Sequence, residues 1–464
     1  MTATADTITP YDLLSTPFRI SGNATALTVI AQKGSQNAAS PLVCASPGSD
    51  RRAMRYSLRS AMQELPYLSA DVPPQVNRLR MCGRAVLGQD MALTLKDGKA
   101  GVRRVETCGR GLVCPSCSST IREARRVYLS KILAASHDQG CQVFFATFTI
   151  RHYKKNSLAE TLSVVRGAWR KMASQREWRR LSEKYGIKMV SSLEVTYGKR
   201  GFHPHLHCVF ISNVPTVPRD VGLNERESSG STEVKHPMKA DDILEVREWL
   251  KQAWITQVTK AGSSASQEHA LDWHEASGPK NLADLARYLT KGQGAEPEEV
   301  ADLIQQLRDD PERARTVSRG LDRRLSMEIT RSDLKSSNPK GSDRSTVPMF
   351  SVLVEACFGD LNALRTWWEL EAATRGLRWW RVSHGLAEAL GLKEDNRDDE
   401  QVANERETLG VPVIGLSGKS WWRLIRFGMA APVLTLLEEE GVCVTLSWLK
   451  ANSLNAWEIA TEDT

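Results

Sequence analysis

The stretch FHPHLHCVF, residues 202–210, constrains this chain more than any other. It places three of the nine histidines at every second position, His203, His205 and His207, ahead of an apolar run. Side chains at i and i+2 of a β-strand share one face. His205 and His207 therefore project together, while Leu206 and Cys208 turn to the other side and suit a core. Two imidazoles held this way can share one divalent ion. The segment before them reads as the first arm of a β-hairpin, strand 188–197 returning as strand 205–211 through a Gly/Lys/Arg turn. A hairpin centred near residue 200 puts Glu194 opposite or nearly opposite His207, on the same face. One oxygen added to two nitrogens suits Mg²⁺ or Mn²⁺, with positions left for phosphate and water. His203 has the same parity but precedes Pro204 at the strand start, which makes it a neighbour that shapes the site.

A second cluster lies upstream. Four of the nine cysteines fall within residues 82–117: Cys82, Cys108, Cys114 and Cys117. The CPSC element puts two thiolates on one tight turn, half of a tetrahedral zinc site, because ligands about 2.3 Å from the ion must converge from a short loop. Cys82 and Cys108 supply the other half across a 25-residue insertion. The odd cysteine count argues against a disulfide framework. The start MTATADTITPYDLL has no basic region ahead of an apolar core, and no run of 18 apolar residues occurs. The expectation is a cytoplasmic protein with no membrane contact.

Net charge is +7, unevenly spread. Residues 51–130 carry 15 Lys/Arg against 6 Asp/Glu, and residues 151–200 carry 13 against 4. The rest is acidic on balance. A basic half beside an acidic one points to a polyanionic partner for the basic part. CQVFFATFTIRH, 141–152, alternates as a strand, with Phe145, Thr147 and Thr149 on one face. The next segment opens on Ser157 and Glu160, a capping box, and carries an apolar stripe of Leu158, Leu162, Val165, Trp169 and Met172.

NLADLARYLTKG, 281–292, has the pattern of a helix with Asp284, Tyr288 and Lys291 on one face. Alone, this is an ordinary amphipathic surface. Beside a metal-held phosphate it becomes a reactive set. The phenol can attack phosphorus, Lys291 can offset charge in the transition state, and Asp284 can deprotonate the phenol or a water.

In the order FFATFTIRH, HPHLH, YLTK, these motifs resemble those of the HUH endonucleases. The details resemble the Rep proteins that initiate rolling-circle plasmid replication in bacteria. Asp284 stands four before Tyr288, where the single-tyrosine branch has an acidic residue, commonly glutamate. CGRGLVCPSC resembles the cysteine motif ahead of their catalytic domain, and residues 345–392 resemble the tail of larger members. The resemblance implies an α+β fold with a central antiparallel sheet and helices on one side. It implies a tyrosine that nicks one strand at the plasmid origin and stays linked to the 5′ phosphate. The free 3′ hydroxyl would then prime a host polymerase, with a host helicase as a further partner. The alternatives are an HUH enzyme of transposition or conjugative transfer, and a non-enzymatic zinc-containing DNA-binding regulator.

The expected organisation is a partly ordered extension (1–75), a zinc-binding module (76–135), the catalytic domain (140–330), a linker (331–346) and a helical C-terminal domain (347–464).

Overall fold

The computed structural model describes residues 47–214, 237–275, 346–408 and 410–459. The chain opens with helices α1 (Pro47–Gln63) and α2 (Pro74–Met81), then a hairpin of β1 (Asp90–Lys96) and β2 (Lys99–Arg103). Helix α3 (Pro115–Asp138) leads into β3 (Gln142–Phe148), α4 (Leu158–Ala173) and α5 (Arg176–Lys184). The long hairpin β4 (Lys188–Gly198) and β5 (Gly201–Ser212) comes next, then α6 (Ala240–Lys260) and β6 (Leu271–Glu275). After residue 345 follow β7 (Thr346–Pro348), α7 (Met349–Cys357), α8 (Leu361–Ala373), β8 (Trp380–Val382), α9 (Leu386–Ala389) and α10 (Asp399–Thr408). The described chain finishes with β9 (Val411–Ser417), α11 (Gly418–Arg426), α12 (Ala430–Glu439), α13 (Gly441–Ala451) and β10 (Ala456–Glu458).

Two sheets result, and every pairing between the named strands is antiparallel. The larger has the order β6-β3-β5-β4-β7, with β8 also on β4; the smaller runs β10-β9-β1-β2. The α+β class and the antiparallel sheets agree with the sequence reading.

The larger sheet is positioned by its apolar face. Phe144, Ala146 and Phe148 of β3 and Cys208 and Phe210 of β5 are buried on it. Helix α4 starts at the expected capping box, with Ser157 Oγ accepting from the Glu160 N–H and the Glu160 carboxylate accepting from the Ser157 N–H. Its Leu158, Leu162, Val165 and Met172 are buried, and the Trp169 ring lies 5.4 Å from that of Phe148. Trp254 of α6 is wholly buried 5.2 Å from the same ring and donates its indole N–H to the Thr149 carbonyl. On the opposite face, Arg122 of α3 and Met349 and Phe350 of α7 line a small space with Glu194. Helices thus flank both faces, where the resemblance implies one.

Two further expectations need correcting. Residues 47–63, placed in a loose extension, form α1, whose Leu58 and Met62 are buried together with Leu65 beyond it. Four arginines, Arg51, Arg52, Arg55 and Arg59, masked that apolar stripe. Trp368 donates to the Pro66 carbonyl, and its ring meets Tyr67 edge-on at 4.9 Å, so this segment is tied to α8. The C-terminal stretch is also not purely helical. β7 and β8 extend the larger sheet, and β9 pairs with β1 along Asp90–Leu95. β7 and β8 have three residues each, too few to show a period of two.

The smaller sheet has its own core, in which Met91, Leu93, Ile414, Leu416, Trp421 and Leu434 are buried. Of the tryptophan pairs, Trp367, Trp368, Trp379, Trp380 and Trp421 are buried, whereas Trp422 is half exposed.

Candidate metal centres

The β4–β5 hairpin closes through a two-residue turn, Lys199–Arg200, with Gly198 paired to Gly201. Gly201 takes φ +90°, and a Cβ there would meet the Lys154 Cα at 3.1 Å, so glycine fits both the turn and the close approach. The turn fixes the register. Glu194 faces His205, and Ser192 faces His207. The expected pairing of Glu194 with His207 is therefore displaced by two residues along β5. A shift of two preserves parity, so the three side chains still share a face. Pro204 falls beyond the end of β3, which pairs only as far as Leu206, so its missing N–H costs no rung there.

Glu194 Oε2 lies 3.0 Å from His205 Nε2 and 2.8 Å from His207 Nε2. All three ligand atoms lie within 4.8 Å of one another. Both outer nitrogens are held. His205 Nδ1 lies 3.1 Å from the His203 carbonyl, and His207 Nδ1 lies 3.0 Å from Thr147 Oγ1. A carbonyl only accepts, so His205 Nδ1 carries the hydrogen. In the neutral ring, Nε2 then presents its lone pair to the carboxylate. Two electron-rich atoms at 3.0 Å need positive charge between them, from a proton or a cation. This donor set fits a divalent ion, and held outer nitrogens are what metal-ligating histidines usually show. Ser192 Oγ, buried on the same face, has no partner among the described residues.

The setting is dry. Glu194 is 3% exposed. Burial alone would raise its carboxyl, but His205 and His207 outweigh burial and hold it well below the ordinary carboxylate range. The Phe145 ring stacks on His207 at 5.7 Å, and His203 stacks on His152 at 4.3 Å. Burial, with the imidazoles of His205 and His152 beside it, lowers His203 to about 3, so it stays neutral. His203 is outside the ligand cluster and contributes its carbonyl. Sequence reasoning missed Thr147 and His152. The parity of β3 carried a signal for Thr147, since it shares a face with Phe145 and pairs with His207.

The cysteines form the second centre. The 25 residues between Cys82 and Cys108 fold as the β1–β2 hairpin, which returns the chain to its starting point. Its neck is clamped by Gly83 N–H to Glu106 O at 2.7 Å and Glu106 N–H to Ala85 O at 2.8 Å. Sulfur separations are 3.5 Å for Cys82–Cys117 and 3.7 Å for both Cys108–Cys117 and Cys114–Cys82. A disulfide is about 2.05 Å. The edge of a tetrahedron with 2.3 Å metal–sulfur bonds is about 3.8 Å. All four are buried. Cys114 stands at the N-cap of α3, where the helix dipole favours a thiolate. The Cys108 side chain, then those of Cys117 and Cys82, hold the Cys114 thiol well below its usual value, whereas burial pushes Cys108 well above. The donor set fits one cation of the zinc type.

Asp284, Tyr288 and Lys291, expected to carry the covalent chemistry, lie outside the described residues.

The family model of replication proteins matches residues 100–215. That stretch is similar to the replication-protein domain of the family. The matched stretch includes Cys108, Cys114, Cys117, Glu194, His205 and His207. A curated protein named Protein rep, from Streptomyces lividans, is 24% identical over 353 residues, covering 65% of this chain and 67% of that protein. A neomycin resistance protein from Streptomyces cyanogenus is 25% identical over 130 residues, 22% of this chain and 30% of that protein, so under a third of it is spanned. No solved structure matches the chain. No described helix of the chain is long and apolar enough to cross a membrane.

Proposed function

We propose that this chain is a Rep protein that initiates rolling-circle plasmid replication by nicking and rejoining one strand at the origin. The observation that carries the reading is Glu194 Oε2 lying within 3.0 Å of both imidazole Nε2 atoms, inside the segment that matches replication proteins. Glu194, His205 and His207 would hold Mg²⁺ or Mn²⁺. When bound, that ion supplies Lewis-acid polarisation of the scissile phosphate.

The chain's own residues do the rest. The neutral pair His152 and His203 and the Phe145 ring limit water around the ligands. Tyr288 is the nucleophile. Its phenol gives up a proton to water, an Oη–P bond forms, the P–O3′ bond breaks, and the 3′ oxygen leaves and takes a proton. Lys291 offsets charge on phosphorus. The ester is exchanged rather than hydrolysed, so the link can be reversed by a 3′ hydroxyl. Asp284 then activates the water that closes the cycle. Cys82, Cys108, Cys114 and Cys117 hold a structural zinc that fixes the base of α3. Origin DNA is the direct partner, and a host helicase and polymerase act on the nicked product.

Incubation with supercoiled origin plasmid and Mn²⁺ should give open circles and an SDS-resistant protein–DNA band. Absence of both, from protein that binds origin duplex, would refute the nicking activity.

A further inference from the structure

A cavity of about 380 Å³ lies between α1, the β1–β2 hairpin and the first turns of α3. Its walls carry five cations, Arg52, Arg55, Arg59, Lys96 and Lys99, against two carboxylates, Asp97 and Glu106. Glu106 is engaged by Arg78 at 2.8 Å, and Arg52 is paired to Glu438 at 2.6 Å. Ser116, Ser119 and Thr120 bring hydroxyls from the N-terminal end of α3.

Arg59 is the decisive residue. It is 4% exposed, yet its Nε and Nη2 have no partner among the described residues. Only Nη1 is used, donating to Ser116 Oγ at 3.2 Å, and the guanidinium lies 4.4 Å over the Tyr56 ring. Gly83 leaves room for it, since a Cβ there would fall 2.2 Å from Nη1. Among the described residues no carboxylate accepts a hydrogen bond from Arg59, and no sulfur of the adjacent cysteine cluster does. A buried guanidinium with donors unfilled is costly, and its fork matches the oxygens of a phosphoryl group. The volume lies at the small end of ligand pockets.

We infer that this cavity binds a phosphoryl anion, a mono- or diphosphate group, through Arg59 and the hydroxyls of α3. The group comes either from a free nucleotide or from the 5′-terminal phosphate of a DNA strand. No step of the nicking chemistry enters this inference, so the two stand or fall separately.

The test uses the full zinc-loaded chain. Calorimetric titration with pyrophosphate at low salt should show one saturable site per chain. Arg59→Lys keeps the positive charge beside the cysteines but loses the fork, and should weaken binding at least tenfold. Zinc content and melting temperature are read on the same samples. If Arg59→Lys fails to retain zinc, the double variant Arg55→Gln/Lys99→Gln is read instead, with the same loss expected. Competition then separates the sources. Displacement by a 5′-phosphorylated oligonucleotide, but not by its 5′-hydroxyl form, assigns the strand end. Displacement by a nucleoside diphosphate alone assigns a free nucleotide. Absence of saturable pyrophosphate binding by folded wild-type protein overturns the inference. So does unchanged affinity in a zinc-loaded variant.

Discussion

Glu194→Gln tests the divalent site with least disturbance to shape. The amide keeps the volume of the carboxylate at a position that is 3% exposed, and removes only the charge. One oxygen, Oε2, approaches both Nε2 atoms, at 3.0 and 2.8 Å, so its charge serves the whole cluster. Losing a charge-assisted interaction of this kind costs about 1.5–3 kcal/mol, or roughly a hundredfold in affinity at the upper end. Binding linkage converts that into a melting shift. At a metal concentration of about 100 Kd, the wild-type protein gains about 2.7 kcal/mol, and a hundredfold weaker variant about 0.4 kcal/mol. For a cooperative unit of about 200 residues, with an unfolding entropy near 2.1 cal/mol/K per residue, these are shifts of about 6 °C and 1 °C. The assay is thermal melting of each protein in EDTA and in Mn²⁺, with origin nicking measured in parallel. Nicking by Glu194→Gln should fall and recover partly at higher Mn²⁺. An equal Mn²⁺ shift in both proteins would show that the carboxylate is not a ligand.

Four further outcomes are expected. His207→Ala removes one proposed ligand and leaves Thr147 Oγ1 without its imidazole partner; it should abolish nicking but spare binding to duplex origin in a gel-shift assay. Cys114→Ser should lower zinc from about one ion per chain to near none by metal analysis, and should destabilise the fold, since metal-binding free energy is folding free energy here. Tyr288→Phe should remove the SDS-resistant adduct, whereas Asp284→Ala should still form it and fail to release closed circles on gels; an adduct mapped to another tyrosine overturns the assignment. A chain ending at residue 330 lacks β7 and β8, so β4 becomes an open edge along Val190–Ser192 and Thr196–Gly198; solubility measurements should show it aggregating.

What the sequence revealed followed from short-range rules. Strand parity was enough to put His205 and His207 on one face, and the glycines near residue 200 were enough to place a hairpin. Their exact turn set the register, and Glu194 was found against His205 because a shift of two does not change the face. The S-x-x-E signature marked the start of α4 to the residue. The cysteine spacing indicated a cluster but could not show how Cys82 reaches it, since that depends on the β1–β2 hairpin closing on itself. Long-range pairings were not legible. Nothing local in VPVIGLS at 411–417 says that its partner is DMALTL near residue 90, and arginines between the apolar positions of α1 hid a helix that packs on α3, α7 and α12.

The pairing of β1 with β9 also has a consequence for synthesis. The two strands are separated by roughly 320 residues of chain. At about 5–20 residues per second, β9 leaves the ribosome about 15–65 s after β1. For most of that interval the cysteine cluster can close, since all four thiols are out soon after β1, but the outer edge of its hairpin has no neighbour and Met91 and Leu93 have no core to enter. The nascent chain must therefore carry an unpaired apolar ribbon for most of its translation. The early module is complete in its ligands and incomplete in its packing. Polysome-bound chains stalled before residue 411 should accordingly be held by chaperones at this hairpin rather than at the His205–His207 strand, which by then is paired on both sides by β3 and β4.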